Sequence, residues 1–341
     1  MKLNIKNRRY IGNKSKLLNF IDDCLEKENI KYNSFGDIFA GTGVVGEHFL
    51  NKGKNVIFND LLYSNYVIYK ATMNNDKNYD INKIEKIIEE YNELDPLIIE
   101  ENYFSDNFSG NYYNYLDAKK IGYIREDIEQ KRIKNIITER EYYILISDLL
   151  YSIDKISNTV GHYESFLNKE PKYQNVKIHS LDIKEYESDI NIYNEDANKL
   201  VKKIYADVMY IDPPYNARQY ANFYHLLENV SKWEKPPVFN KAKKMDRKKI
   251  MSEYCKSNAK EVFKDLIKNI NAKYIVVSYN NTYEAKSTSS VNTITYEDMI
   301  NILSSRGKIK VYETNYNFFN SGKTNLKNHM ERVFICRIEG K

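Results

Sequence analysis

The chain has 341 residues, a formal net charge of +5, 42% hydrophobic and 29% charged side chains, enough for a large catalytic domain that carries a second module. No stretch approaches the roughly 18 apolar residues of a membrane span, and the basic start Met1–Arg9 lacks a signal-peptide core, so a soluble, cytoplasmic protein with no membrane partner is expected. Cys24, Cys255 and Cys336 have neither metal-ligand spacing nor a pairing framework, which argues against a disulfide scaffold; no metal is expected.

Residues 9–18 read by themselves as no more than a basic lead into a helix. A short strand is predicted over 35–39, a tight turn at Ala40-Gly41-Thr42-Gly43, a helix over Val44–Leu50 and, after Gly53, a second strand over 55–58. This is a βαβ opening. Asn59-Asp60 closes the second strand and sets a carboxylate 19 residues beyond Gly41, near the spacing at which Rossmann-like folds grip ribose hydroxyls, so a nucleoside pocket is expected. The alternation then stops. Residues 72–180 are mostly polar with helical apolar spacing at 84–91 and 142–156, and read as an inserted, mainly helical module. Sheet segments return at 191–193, 208–211, 274–279, 308–312 and 332–338, so the core is expected from 1–71 and 181–341 and the insert from 72–180.

The glycine turn, Gly41-Thr42-Gly43-Val44-Val45-Gly46, formally fits a dinucleotide-binding pattern, which leaves an NAD-dependent oxidoreductase as one alternative. It is no Walker loop, because no Gly-Lys-Ser/Thr follows. An acid inside the strand, Asp37, with Phe39 just before the turn, favours S-adenosylmethionine, whose ammonium and sulfonium are positively charged and pair with nearby carboxylates.

Asp212-Pro213-Pro214-Tyr215 follows the apolar run Val208–Ile211, so an acid, two prolines and an aromatic ring arrive together at the C-terminal end of a buried strand. The combination suits methyl transfer to a flat exocyclic amine. Such a nitrogen becomes nucleophilic only when acceptors on its two hydrogens draw it toward tetrahedral geometry. Asp212 offers one acceptor and the Pro213 carbonyl the other, since the prolines fix φ and bias their neighbours to extended geometry. Tyr215 offers a face on which a base stacks, worth roughly 1–3 kcal/mol. Further on, residues 231–260 hold ten Lys or Arg against three acids, a net +7; Lys243, Lys244, Lys248 and Lys249 are candidate phosphate contacts, with a solvated charge run as the alternative.

With the glycine turn upstream and the Asp-Pro-Pro-Tyr block downstream, the chain resembles the D12 class of DNA adenine methyltransferases, which includes Dam-like and FokI-like enzymes. The N-terminal signature is present as Arg9-Tyr10-Ile11-Gly12-Asn13-Lys14-Ser15-Lys16. The resemblance implies that Tyr10 and Lys14 line the donor pocket, that Asp37 to Gly43 (with Phe39, Ala40, Gly41 and Thr42) form the donor turn, and that Asp60 holds the ribose. It also implies that Asp196 and Ala197 recognise the donor adenine; read alone, Asp196 is a helix N-cap. Residues 216–225 look like an extension of the FokI-like branch, and 124–128 and 154–163 like family stretches within the insert. The fold implied is α/β, a Rossmann-like S-adenosylmethionine-dependent methyltransferase fold with an inserted, mainly helical target-recognition domain. The reaction implied is methylation of a flipped adenine in double-stranded DNA by a monomer or weak dimer, with a cognate restriction endonuclease as partner. Cytosine in DNA, adenine in RNA and a protein glutamine amide are alternative acceptors of the same chemistry, and a catalytically silent DNA-binding protein is a further alternative.

Overall fold

The computed structural model describes residues 2–214, 216–280, 292–315 and 330–339. In chain order the elements are α1 (Leu18–Lys27), β1 (Ser34–Asp37), α2 (Val44–Leu50), β2 (Asn55–Asn59), α3 (Tyr63–Thr72), α4 (Ile81–Glu93), α5 (Tyr103–Phe108), α6 (Tyr115–Ile133) and α7 (Glu139–Ile156). They continue with β3 (Ile190–Tyr193), α8 (Ala197–Leu200), β4 (Ala206–Ile211), α9 (Tyr220–Phe223), α10 (His225–Lys232), α11 (Ala259–Asn269), β5 (Ala272–Asn280), α12 (Tyr296–Ser304), β6 (Gly307–Asn315) and β7 (Met330–Ile338). They fall into two compact units: Met1–Gly12, Leu62–Tyr186 and Ala221–Lys249 in one, Asn13–Leu61, Glu187–Tyr220 and Ile250–Lys341 in the other.

The second unit holds a seven-stranded sheet among the described residues, in the order β3-β2-β1-β4-β5-β7-β6. The first five strands of that order run parallel, and β7 is antiparallel to both β5 and β6. β4 is buried at every position, as expected for a parallel strand covered on both faces. One face carries Met209, Ile211, Ile275, Val277, Phe334 and Cys336 into an apolar cluster with Phe263 and Leu266 of α11 and Met299 and Leu303 of α12. The other carries Phe35, which stacks on Phe49 of α2 at 4.0 Å between ring centroids. Gly46 allows α2 its close approach, because a Cβ there would lie 2.2 Å from the Phe58 ring. The chain moves outward through β1, β2 and β3 and then returns to β4 beside β1, so the strand order reverses between β1 and β4. Open α/β sheets bind ligands at the C-terminal strand ends over such a reversal.

The first unit is helical, and the expected insert of 72–180 lies within it together with 1–12 and 221–249. Its helices begin on side-chain caps: Asp80 for α4, Asn102 for α5, Asn114 for α6 and Thr138, in a reciprocal box with Glu141, for α7. Buried polar groups do the tying. Arg125 is fully buried and donates to the Val230 carbonyl at 2.6 Å and the Tyr142 hydroxyl at 2.9 Å. Glu228 accepts from the Tyr63 and Ser64 N–H groups at the start of α3, at 3.1 and 2.6 Å. Asp117 accepts from the Gln174 and Val176 N–H groups, and Asp148 from that of Leu181, so two helix carboxyls pin the strap that follows α7.

Candidate active site

The glycine turn follows the end of β1. Gly41 and Gly43 adopt φ of 55° and 80°, in the left-handed region that side chains with a Cβ disfavour, and the Gly43 N–H closes on the Ala40 carbonyl at 2.7 Å. Thr42 is buried within this turn. Asp60, just past β2, accepts from the Gly41 N–H at 2.8 Å, and Ala40 donates to the Asn59 carbonyl at 2.9 Å. Asn59 links three strand ends: its amide donates to the carbonyls of Ile38 and Glu195, and its oxygen accepts from the Glu195 N–H at 3.0 Å. Asn194 in turn donates to the Asp60 carbonyl at 2.8 Å.

Asp196 therefore arrives at the same edge as Asp60, as the N-cap of α8, where its carboxylate accepts from the Lys199 N–H at 3.1 Å. Ala197 starts that helix in the apolar cluster that also contains Tyr254, and Phe39 meets Tyr254 edge-on at 5.1 Å. The Tyr254 hydroxyl is anchored on Asn198 at 2.7 Å. Neither Asn59 nor Tyr254 carries a sequence signal; each is a lone polar residue whose partners lie far along the chain.

Asp37 sits at the end of β1 with its side chain buried. Its Oδ2 accepts from the Gly46 N–H at 2.9 Å, while Oδ1 is buried without a hydrogen-bond partner among the described residues. Burial pushes this carboxyl up to about 8, against the pull of the Gly46 N–H, and the charges of Asp212 and Asp60 add to the rise. Leaving such an oxygen unmatched costs about 1–3 kcal/mol, which marks it for a positively charged or hydrogen-bonding ligand.

Asp212 follows β4 directly, and its carboxylate meets the Lys14 ammonium at 3.1 Å, the two side chains 14% and 5% exposed. Lys14 precedes α1, held by the Leu17 N–H on its carbonyl at 2.8 Å. Pro213 is buried and Pro214 half-buried; Tyr215 lies outside the described residues. The chain beyond is fastened by a reciprocal pair: the Gln219 amide donates to the Ser252 carbonyl at 2.9 Å and its oxygen accepts from the Ser252 N–H at 2.8 Å. Thus Lys14, Asp37, Phe39–Gly43, Asp60, Asp196, Ala197 and Asp212–Pro214 all belong to the sheet unit and gather at its C-terminal strand ends.

The other candidates belong to the helical unit. Tyr10 stacks on Tyr224 at 4.7 Å with the rings 5° from parallel, and the Arg8 guanidinium lies 5.3 Å from the Tyr10 ring centre. Lys248 and Lys249 are exposed and Lys243 half-buried, whereas Lys244 pairs with Glu164 at 2.8 Å. His225 is a packing histidine, buried between the carbonyls of Asn222 and Ala242 at 2.9 and 2.8 Å, and desolvation lowers it to about 4. The family-like stretches at 124–128 and 154–163 supply anchors of this unit: Arg125, described above, and Asp154, which accepts from the Tyr163 hydroxyl at 3.0 Å.

Comparison with known proteins agrees with this geometry. The family model of the D12 class N6 adenine-specific DNA methyltransferases matches residues 10–291. The chain is 38% identical over 308 residues to the modification methylase StsI of Streptococcus sanguinis, covering 86% of this chain and 46% of that protein. It is 34% identical to the type II methyltransferase M.FokI of Planomicrobium okeanokoites, covering 89% of this chain and 48% of that one. The chain thus spans about half the length of these two relatives. Against the type II methyltransferase M.NlaIII of Neisseria lactamica it is 35% identical, and the match covers 94% of this chain and 95% of that protein. The α/β sheet with its central reversal and the matched motifs lead to one assignment: the chain belongs to the D12 class N6 adenine-specific DNA methyltransferase family.

Proposed function

We propose that this protein methylates the 6-amino group of an adenine flipped out of duplex DNA, with S-adenosylmethionine as the donor. The single observation that carries the reading is the Asp212 carboxylate at the end of β4, beside the β1 donor turn and paired with the buried Lys14 ammonium. The residues present fit the donor: the unmatched Asp37 Oδ1 suits a cationic group, Asp60 and the Gly41–Gly43 turn suit the ribose and the methionine end, and Asp196 with Ala197 and Phe39 suits the adenine. When bound, S-adenosylmethionine supplies a methyl group activated by its positive sulfur.

The chain supplies orientation. Asp212 accepts from one hydrogen of the target amine and the Pro213 carbonyl from the other, so the lone pair is turned out of the ring, and Tyr215 stacks on the base. Unstacking costs a few kcal/mol, which base stacking and phosphate contacts offset. Positioning of this kind needs no strong base, because the amine becomes acidic once it has been alkylated. Residues 72–180 are assigned to target recognition, Tyr10 to the donor pocket, and Lys243, Lys248 and Lys249 to the DNA backbone, Lys244 being occupied by Glu164. In its cell the enzyme would act in the cytoplasm, as a monomer or weak dimer, in modification alongside a cognate endonuclease. Replacing Asp212 by Ala should abolish transfer of labelled methyl groups to unmethylated genomic DNA while calorimetric donor binding stays within a few-fold; retained transfer contradicts the reading.

A further inference from the structure

β4 fixes where the Asp212–Tyr215 block begins, since Asp212 follows Ile211 directly. Loops that leave a strand end are mobile, and the two prolines set φ at two positions without setting the path of the chain beyond them. Gln219, in the segment that follows, is 6% exposed. Its amide faces the main chain of Ser252 head to head: Nε2 donates to the Ser252 carbonyl at 2.9 Å, and Oε1 accepts from the Ser252 N–H at 2.8 Å. Asn and Gln alone carry a donor and an acceptor in one flat amide, so this side chain completes the two-bond exchange that a residue of a neighbouring strand would make. Beside it, the Arg218 carbonyl accepts from the Cys255 thiol at 3.3 Å, and the Arg218 N–H donates to Asn216 Oδ1 at 3.1 Å.

The partner turn, Ser252–Cys255, is itself fixed from several sides. The Cys255 N–H closes on the Ser252 carbonyl at 3.3 Å. Tyr254 is 3% exposed; its hydroxyl donates to Asn198 Oδ1 at 2.7 Å, and its carbonyl accepts from the Thr293 hydroxyl at 3.2 Å. Asn198 is held in turn by α11, donating to the Val262 carbonyl at 2.8 Å and the Asp265 carboxylate at 2.9 Å. The Tyr254 ring meets Phe39, just before the glycine turn, at 5.1 Å. All of these residues belong to the sheet unit.

We propose that Gln219 is a positioning residue for methyl transfer: by clamping the chain beyond the Asp212–Tyr215 block to the Ser252–Cys255 turn, it holds the two acceptor oxygens in register with the donor turn, against which Tyr254 stands through Phe39. The inference rests on the reading of Asp212 and Pro213 as acceptors from the target amine. A displacement of about 1 Å at reacting groups costs about a hundredfold in rate, so a block secured by β4 at its start needs a second fixed point after its end. The clamp supplies that point with two bonds to main-chain atoms. Its role asks for no contact with base or donor, so it acts on the rate at saturation rather than on the binding of either.

The test is read in the full chain as single-turnover methyl transfer to unmethylated genomic DNA at saturating donor and DNA, with donor affinity by calorimetry and duplex affinity by filter binding. Gln219→Met, similar in length and without either bond, is expected to slow transfer at least tenfold while both affinities stay within threefold of the parent. Ser252 has φ of −75°, which proline adopts, so Ser252→Pro deletes the N–H bound by Gln219 and keeps the carbonyl. It should transfer at least fivefold more slowly than Ser252→Ala, which loses the same hydroxyl and keeps the N–H. In a Gln219→Met background that difference should shrink to within twofold, because the bond is already gone. A Gln219→Met enzyme within twofold of the parent, a loss that appears in donor or duplex affinity in place of rate, or Ser252→Pro equal to Ser252→Ala would overturn the proposal. If Gln219→Met does not fold, the two Ser252 variants decide by themselves on the same criterion. Asp212→Ala run alongside separates the two readings: an active Asp212→Ala sinks the amine-acceptor reading, whereas a dead Asp212→Ala with an unaffected Gln219→Met sinks only the role of Gln219.

Discussion

Asp37 sets a cost in stability against the donor contact proposed for it. Its carboxyl is held up to about 8 by burial, with one oxygen on the Gly46 N–H and the other unmatched. A folded-state value above the unfolded one means that folding favours the neutral acid. The stability this confers is complete below about pH 4 and is lost progressively as pH rises through about 8. In the donor-free protein Asp37→Asn, which keeps the bond to Gly46 and cannot ionise, should therefore leave the melting temperature unchanged or raised at pH 8.5. The same change should weaken donor binding about tenfold to a hundredfold, the worth of one hydrogen bond between charged groups. Thermal melts and calorimetry at that pH check both halves, and a variant that melts lower yet binds normally would contradict this role.

At the scale of elements, the ends of strands decide the site. The apolar runs of β1, β2, β4, β5 and β7 and the whole of α2 were legible because a buried strand, or a glycine turn leading into an apolar helix, writes itself in consecutive residues. Their polar ends were not, and β5 reaches Asn280 and β7 begins at Met330, beyond the predicted 274–279 and 332–338. Glu331, 3% exposed near the start of β7 and opposite Asn280 of β5, was lost in this way, since a single acid at a strand end reads as solvent-facing until its neighbours across the sheet are known. Asn59 was hidden for the same reason: its partners are Ile38 and Glu195, the latter 136 residues away. Asn59→Leu would orphan the Ile38 and Glu195 groups in a buried place, so a loss of roughly 2–4 kcal/mol is expected, with donor affinity falling as Asp196 detaches from the edge. Gly46→Ala is the matching test of α2. Its Cβ would press on the Phe58 ring at 2.2 Å, and overpacking of about 1–3 kcal/mol should appear in denaturant melts; an unshifted midpoint would mean that α2 moves away freely.

For the whole molecule, charge is distributed very unevenly: the chain carries +5 overall, whereas 231–260 alone carries +7. Met1–Gly12 and 221–249 lie in the helical unit with 72–180, tied to it by bonds between residues far apart in the chain, such as Arg8 to Asn65 at 2.7 Å and Arg125 to Val230 at 2.6 Å, which leave no periodic trace. The basic run is consequently not one surface. Lys244 is 16% exposed and occupied by Glu164, and Ala242 beside it is bound by His225 and by the Tyr112 hydroxyl at 2.9 Å, so this lysine serves the packing of its loop. Lys248 and Lys249 are exposed. Each lysine that neutralises a phosphate contributes about 0.9 to the slope of log affinity against log salt. Joint replacement of Lys248 and Lys249 by Gln should therefore flatten that slope by about 2 on any duplex, whereas Lys244→Gln should alter it by less than half as much and instead lower the melting temperature. Filter binding of an arbitrary duplex between about 50 and 200 mM salt measures the slopes, and a larger loss from Lys244 than from the exposed pair would place the phosphate contacts on the loop rather than on the turn that follows it.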